Sequence, residues 1–433
     1  MSPEIKKKKI IFYTDCFIFG GCEKPIFRVM TSQQFLAKYD YRLIYRKNRE
    51  YIKGLNISHP HLPKDKSSEV TLFDISTFTI YLSEKIKNKY LLRVLIKLTI
   101  AIYILFMPVI FIYDYIILYM KFLKEKPDIV HINNGGYPGA LSCRAASVAA
   151  RYAGIKNVIL NVHNIALKSI GYFDRKIDYF VKKSVVVIIT GSKSAGRALT
   201  KNRGFESDKI ITIYHGVDRV ACDAGVSQNE NSLAGSDGRH ISMVGRFENR
   251  KGHRYAIAAF KKMLSGHKEL SDLKLLLIGD GPILSEMKRL VADEGLAQNV
   301  IFLGHRNDYM NYVSTSLFLL HPSIEGEDLP YIILEAMAAG VPVIGTDVAG
   351  IPEEIEDGVT GIILKPKDTG AIVSAMFRLL SDDSGRKRMG DESKKRFQNL
   401  FLADKMIDNY LKLYDNLKTI GNYQEKMLCQ KSV

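Results

Sequence analysis

The chain has 433 residues, 46% apolar and 25% charged, a balance that excludes wholesale disorder, a collagen-like repeat and a polytopic membrane protein. Five cysteines, at 16, 22, 143, 222 and 429 and without a C-x-x-C pair, exclude a disulfide framework, disfavour a zinc site and suit reduced thiols in the cytosol. The net charge is +16, and residues 1–97 hold 19 Lys/Arg against 9 Asp/Glu. No zinc-finger, RNP or zipper pattern accompanies it, so the charge points to an anionic membrane surface or a phosphorylated substrate, not to nucleic acid.

A Lys6–Lys9 run precedes the short apolar run Ile10–Tyr13, which Asp15 ends. That run is too short for a signal-peptide core and reads as a first buried strand. The pattern of apolar run, Gly-rich or polar turn and helix-period stretch then recurs. Asp128–His131 leads into Asn133-Asn134-Gly135-Gly136, Val158–Val162 into His163-Asn164, and Val185–Ile189 into Thr190-Gly191-Ser192. The stretch 217–238 is rich in Ser, Asn, Gly and Asp and reads as a linker. After it, strands are expected at His240–Val244, Leu273–Ile278, Val300–Leu303, Leu317–Leu320 and Val341–Ile344, with helices between them and further helices over about 383–419. This is the rhythm of strand–helix units on parallel sheets. We expect an α/β protein of two doubly wound, Rossmann-like domains, 1–216 and 239–400, facing each other across a ligand cleft at the carboxyl ends of their strands. Residues 401–433 are expected to form a helix that packs back across the hinge.

Between the first and second runs of this rhythm lies Leu98–Met120, in which 20 of 23 residues are apolar. As a helix it is roughly 34 Å long, enough to span a bilayer. A single span fails on topology, because the strands at 10–13 and 128–131 are expected to join one sheet. Both flanks are basic, with Lys85, Lys87, Lys89, Arg93 and Lys97 before and Lys121, Lys124 and Lys126 after, which places both on the cytoplasmic side. Two readings remain: an interfacial or re-entrant element broken at Pro108 that docks on the inner leaflet, and a buried or dimer-interface helix.

The chemistry concentrates in His321–Glu353. Seven residues separate Glu327 from Glu335, and Pro330 between them suits the first turn of a helix. The amides of Tyr331 and Ile332 then face outward, and a helix N-terminus with open amides favours phosphate. Carboxylates beside an anion site cannot hold phosphate but suit neutral hydroxyls, such as those of a sugar and a ribose, so the pattern describes a nucleotide-sugar. Arg246, just past a predicted strand, and Lys251, five residues on at a helix start, are two cations able to grip a diphosphate and stabilise its charge as it leaves. Gly20 and Gly21 after the first strand allow close backbone approach to a ligand. His163 stands at a strand end beside the expected cleft. Gly279-Asp280-Gly281-Pro282 is a weak nucleotide signal.

Gly20-Gly21-Cys22-Glu23-Lys24, the Val244–Lys251 segment, the Glu327–Ile344 segment and Ala349–Leu364 together resemble the retaining glycosyltransferases of family four, as does Tyr214–Asp218. The likeness covers nearly the whole chain. It implies a GT-B fold and transfer of a hexose-type sugar, with retention, from a nucleotide-diphosphate-sugar, UDP being the expected nucleotide. By position it implies that Arg246 and Lys251 hold the diphosphate, Glu335 the ribose and Glu327 the transferred sugar. Leu329, Tyr331 and Ile332 would offer backbone amides, His163 would contact the sugar near its anomeric carbon, and Gly20 and Gly21 would approach phosphate or acceptor. Gly304, His305 and Arg306 match the loop along the nucleobase. Glu327-Asp328-Leu329-Pro330-Tyr331 departs from the family's usual E-G-F-G-L, and Lys24 stands where Arg is common. No metal or other cofactor is expected. The basic first domain and the apolar block suggest a lipid-linked saccharide acceptor, no nucleic-acid partner, a peripheral or monotopic place on the inner face of the plasma membrane, and a part in surface-polysaccharide synthesis. The rival readings are a nucleotide-sugar epimerase on the same scaffold and a non-catalytic scaffold that binds nucleotide-sugar or membrane.

Overall fold

The protein is described by a computed structural model over residues 7–73, 75–86, 88–218 and 239–430. The stretch 219–238, most of the expected linker, lies outside them. The chain divides into two units. One comprises residues 1–190, 195–213 and 409–433; the other comprises 191–194 and 214–408.

The first unit is built on a seven-stranded sheet. Its strands are β1 (Lys8–Thr14), β2 (Tyr39–Arg46), β3 (Ser67–Val70), β4 (Ile129–Asn134), β5 (Asn157–Val162), β6 (Val187–Thr190) and β7 (Ile210–Thr212). They lie in the order β3-β2-β1-β4-β5-β6-β7, and every pairing is parallel. Ile10, Ile11, Phe12 and Tyr13 are all fully buried, because a central parallel strand is covered on both faces. The helices are α1 (Lys24–Thr31), α2 (Gln33–Lys38), α3 (Arg49–Ser58), α4 (Ile75–Lys85), α5 (Lys89–Glu125), α6 (Leu141–Tyr152), α7 (Gly171–Ser184) and α8 (Lys193–Arg203). Right-handed crossovers put α5, α6 and α7 on one face of the sheet, and α6 packs against both of its neighbours.

The apolar block is longer than its sequence suggests. Helix α5 runs 37 residues and passes through Pro108 without a break. Met107, Leu118 and Phe122 anchor its second half in the core, with Tyr103, Ile110 and Tyr115 packed beside them. Leu105, Val109, Ile112, Ile116 and Met120 face outward and are exposed. By length and composition the helix could cross a membrane. Yet it joins β3 to β4, and β4 pairs with β1, so it is docked on its own sheet. It is neither broken at Pro108 nor buried.

The second unit holds six strands, β8 (His240–Val244), β9 (Lys274–Ile278), β10 (Val300–Gly304), β11 (Leu319–His321), β12 (Val343–Thr346) and β13 (Gly361–Leu364). Their order is β10-β9-β8-β11-β12-β13, again parallel throughout. Val217, at the edge of the undescribed stretch, belongs to this unit; its N–H donates to the Phe401 carbonyl at 2.9 Å. In each sheet the strand order reverses beside the first strand, between β1 and β4 and between β8 and β11. Doubly wound sheets bind ligands outside the carboxyl ends of such strands. The loops after β1 and β4 carry Gly20, Gly21, Gly135 and Gly136. Those after β8 and β11 carry Arg246, Lys251 and Glu327.

Candidate active site

In the second unit one close backbone approach assembles the polar cluster. Gly252 has φ +79°, and a Cβ there would meet the Pro322 carbonyl oxygen at 2.0 Å, so only glycine lets the two loops touch. The Ile324 N–H donates to the Arg250 carbonyl at 2.7 Å across the same seam. Lys251 thereby reaches Glu327, forming an ion pair with its carboxylate. Arg250 adds a second pair at 3.1 Å and donates to the Gly326 carbonyl at 2.9 Å. The Ser323 hydroxyl donates to Glu327 at 3.2 Å. Burial raises the Glu327 carboxyl, but its neighbours His321, Lys251 and Arg250 outweigh it and hold it below the usual carboxylate range. His321 is itself pushed down to about 4 by burial and by Lys251. It is therefore uncharged at neutral pH, and the two cations carry the neutralisation. Arg246, largely exposed, and Arg250 share the Glu248 carboxylate, each at 2.7 Å. Three cations thus face two carboxylates, leaving one positive charge at the mouth of the cluster.

The helix Tyr331–Ala338 begins beside it. Pro330 is its N-cap, one position earlier than the sequence suggests, and the Ile333 N–H turns back to the Pro330 carbonyl at 3.0 Å. Leu329 is buried against this end, and the amides of Tyr331 and Ile332 belong to the first turn, where a helix has no internal acceptors for them. The Tyr331 ring stacks on His215, with centroids 5.1 Å apart. Glu335, one turn in, is buried and accepts from the Tyr309 hydroxyl at 2.8 Å. Tyr309 belongs to the loop opened by Gly304 (φ +70°), His305 and Arg306. His305 is exposed, whereas Arg306 donates to Asp308 at 2.8 and 2.7 Å and lies over the Tyr312 ring. Arg246 and Arg306 are therefore each paired with an acid of their own loop, Glu248 and Asp308.

Sequence reasoning missed the acidic residues next to this helix end. Asp328 is buried, and Ser192 donates to one of its oxygens. Burial, with Glu353 and Glu327 nearby, pushes its carboxyl up to about 7. Glu354, fully buried, is pushed well up for the same first reason. Glu353 instead accepts the N–H groups of Lys193 and Ser194, each at 2.8 Å. Arg250 and Tyr309 were also missed, since nothing local in the sequence pairs them with Glu327 and Glu335.

In the first unit, Gly20 and Gly21 line a cleft of about 410 Å³ with Asp15, Cys16, Asn134 and Gly135. Beneath it Glu23 is buried; Thr14 donates to it at 2.7 Å and the Asn133 amide donates to its other oxygen. Burial lifts the Glu23 carboxyl to about 7 against these hydrogen bonds. With its amide nitrogen committed to Glu23 and, at 3.2 Å, to the Cys22 carbonyl, Asn133 turns its carbonyl oxygen to His163 Nε2 at 2.6 Å. An amide oxygen only accepts, so His163 carries its proton on Nε2. The glycine turn and His163 are joined through this relay. Among the described residues no group of three or more His, Cys, Asp or Glu side chains could hold a metal ion.

Two parallel-sheet Rossmann-like units with polar clusters at their switch points define the GT-B class of folds. A structure of Alr3699/HepE from Anabaena in complex with UDP superposes with a TM-score of 0.73 over 94% of this chain and 100% of that one, at 15% identity. Residues 70–220 match the family described as Glycosyltransferase Family 4, and residues 227–396 match Glycosyl transferases group 1. The two matches together span most of the chain, which is therefore a glycosyltransferase built of these two family domains. It is 31% identical to N-acetyl-alpha-D-glucosaminyl L-malate synthase of Bacillus anthracis over 47% of this chain, a match spanning about half (53%) of that relative. It is 26% identical to UDP-Gal:alpha-D-GlcNAc-diphosphoundecaprenol alpha-1,3-galactosyltransferase of Escherichia coli over 69% of this chain and 77% of that one.

Proposed function

We propose that the protein transfers a hexose-type sugar from a UDP-sugar, with retention at the anomeric carbon, to a lipid-linked saccharide in surface-polysaccharide synthesis. The observation that carries this is the cluster at one helix end: Glu327 kept ionised by Lys251 and Arg250, with Glu335 one turn inside. The Escherichia coli relative's name, with its UDP-Gal donor and diphosphoundecaprenol acceptor, supports the choice of substrates. In this reading Glu327 holds hydroxyls of the transferred sugar and Glu335 those of the ribose. The bond from the anomeric carbon to the diphosphate breaks, and Arg246, Lys251 and the amides of Leu329, Tyr331 and Ile332 take up the charge on the departing oxygen. The acceptor hydroxyl oxygen bonds the anomeric carbon on the same face, and its proton passes to the leaving diphosphate. His163, oriented by Asn133, contacts the sugar; Gly20 and Gly21 admit phosphate or acceptor; Gly304, His305 and Arg306 flank the base. The exposed apolar side of α5, between basic flanks, rests on the inner leaflet of the plasma membrane and brings the enzyme to its acceptor.

Thermal unfolding with a panel of nucleotides and nucleotide-sugars tests this, since a ligand of the folded state raises the melting temperature. UDP and one UDP-sugar are expected to raise it, and Glu335→Ala is expected to reduce that rise. No shift with any member, in solution or with membranes present, would overturn the reading.

A further inference from the structure

Helix α7 has two faces of different kinds. Asp174, Ile177, Asp178, Val181 and Ser184 point inward and are buried. Both aspartates are neutralised there, Asp174 by Arg144 at 2.5 Å and by Arg203 at 2.6 Å, Asp178 by Arg203 at 3.0 Å. Every acid of the helix is thus withdrawn from the surface. The outer face repeats a short pattern: Tyr172-Phe173 followed by Lys176, then, seven residues on, Tyr179-Phe180 followed by Lys183. Seven residues are close to two full helical turns, so the two copies stack along one stripe. All four rings are between 42% and 61% exposed. Lys176 lies 5.3 Å from the Tyr172 ring and Lys183 lies 4.4 Å from the Tyr179 ring. From residue 164 to 185 no acidic side chain is exposed.

We propose that this stripe docks on an anionic lipid surface, with α7 lying along the bilayer interface, its rings at the level of the headgroups and its lysines on lipid phosphates. Charge complementarity names the occupant: a face of cations with every acid turned inward calls for a negative partner. Four rings on the same stripe call for one with an apolar layer directly below its charge, which a nucleic acid or an acidic polypeptide lacks. The stripe lies on the same face of the sheet as α5, whose outward side chains are also apolar. The proposal deepens the membrane reading of α5 and rests on it, but names a second element with its own headgroup chemistry.

The test is co-sedimentation of the full chain with vesicles of phosphatidylcholine, with and without phosphatidylglycerol, each variant first checked for an unchanged melting temperature. Replacing the four rings (Tyr172→Ser, Phe173→Ser, Tyr179→Ser, Phe180→Ser) is expected to weaken binding to both vesicles. Lys176→Gln with Lys183→Gln is expected to weaken binding to the anionic vesicles alone, by about 30-fold, at roughly fivefold per cation. A third variant, Leu105→Gln with Val109→Gln and Ile112→Gln, removes the α5 surface. If folded α7 variants bind like the wild type while the α5 variant does not, α7 is no docking element and the proposal falls while the α5 reading stands. If the wild type binds neither vesicle, both fall. If the ring variant dissociates an oligomer present without lipid, a second copy covers the stripe and the proposal is overturned.

Discussion

Lys251 is the residue on which the second-unit cluster turns. It neutralises a buried carboxylate and, in the proposed reaction, the leaving diphosphate. Lys251→Ala is expected to lower turnover by about 10²–10³-fold, the scale seen when one preorganised stabiliser of developing charge is lost. Steady-state assays with UDP-sugar at saturation would check it, and near-normal turnover in the folded variant would remove Lys251 from the chemistry. Asp328 makes a different prediction. Below pH ~4 folded and unfolded chains both hold its proton; from there to about 7 only the folded chain does. Folding stability therefore falls as pH rises through that window, and the loss is complete above it. Asp328→Asn keeps the acceptor for Ser192 without the titration, so its melting temperature should decline less than the wild type's between pH ~5 and ~8. Equal declines would show that Asp328 does not hold its proton. In the first unit, 15N shifts of His163 are expected to report the Nε2–H form at neutral pH, and Asn133→Ala to lose that preference. At this scale the sequence announced Lys251, Glu327 and Glu335, because their spacing is local. It was silent on Arg250, whose role depends on the loop approach of Gly252 to Pro322, and on Tyr309 and Asp328, whose partners Glu335 and Ser192 stand far off in the sequence.

Among the elements, both strands at each switch point and five of the strands beside them were legible, whereas β2, β3, β7 and β13 were not. β1, β5 and β9 are built around the apolar runs Ile10–Tyr13, Val158–Leu160 and Leu275–Ile278. β2 reads Tyr-Asp-Tyr-Arg-Leu-Ile-Tyr-Arg, and its charges look like a surface segment until Arg46 is seen buried against Asp15. β3, with Ser67, Ser68 and Glu69, has too little apolar content to show, and β7 and β13 are only three and four residues long. Helix α5 erred in the other direction. Proline removes one backbone hydrogen bond and crowds the preceding turn, yet the helix continues through the site, where Met107 and Ile110 pack on the core. Pro108→Ala is therefore expected to stabilise the protein by about 1–3 kcal/mol, read as a higher melting temperature. An unchanged or lower one would mean that the proline ring is itself part of the seam.

For the molecule as a whole, each unit has its own parallel sheet and its own apolar core. This two-part plan was visible in the sequence because the strand rhythm stops near 217 and restarts at 240. That residues 191–194 are counted with the second unit was not visible, since such membership is decided by long-range packing. The helix Ala403–Gln430 starts within the second unit, and from Asn409 onward it is counted with the first. There Tyr414 meets His131 Nδ1 at 2.7 Å, Tyr410 accepts from the Asn161 amide at 3.0 Å, and Lys38 pairs with Asp415 at 2.9 Å.

That last arrangement governs how the protein is made. Translation delivers the seven strands of the first sheet long before Tyr410 and Tyr414 leave the ribosome. Until then the inward side of β4 and β5 lacks its cover, and the imidazole of His131, which burial holds uncharged with its pKa down at about 3, stands in water. The first unit must therefore wait, unfinished and open to chaperones or to misassociation, while residues 214–408 of the other unit are synthesised. A ribosome stalled before codon 410 would hold a nascent chain whose first sheet is in place but unsealed.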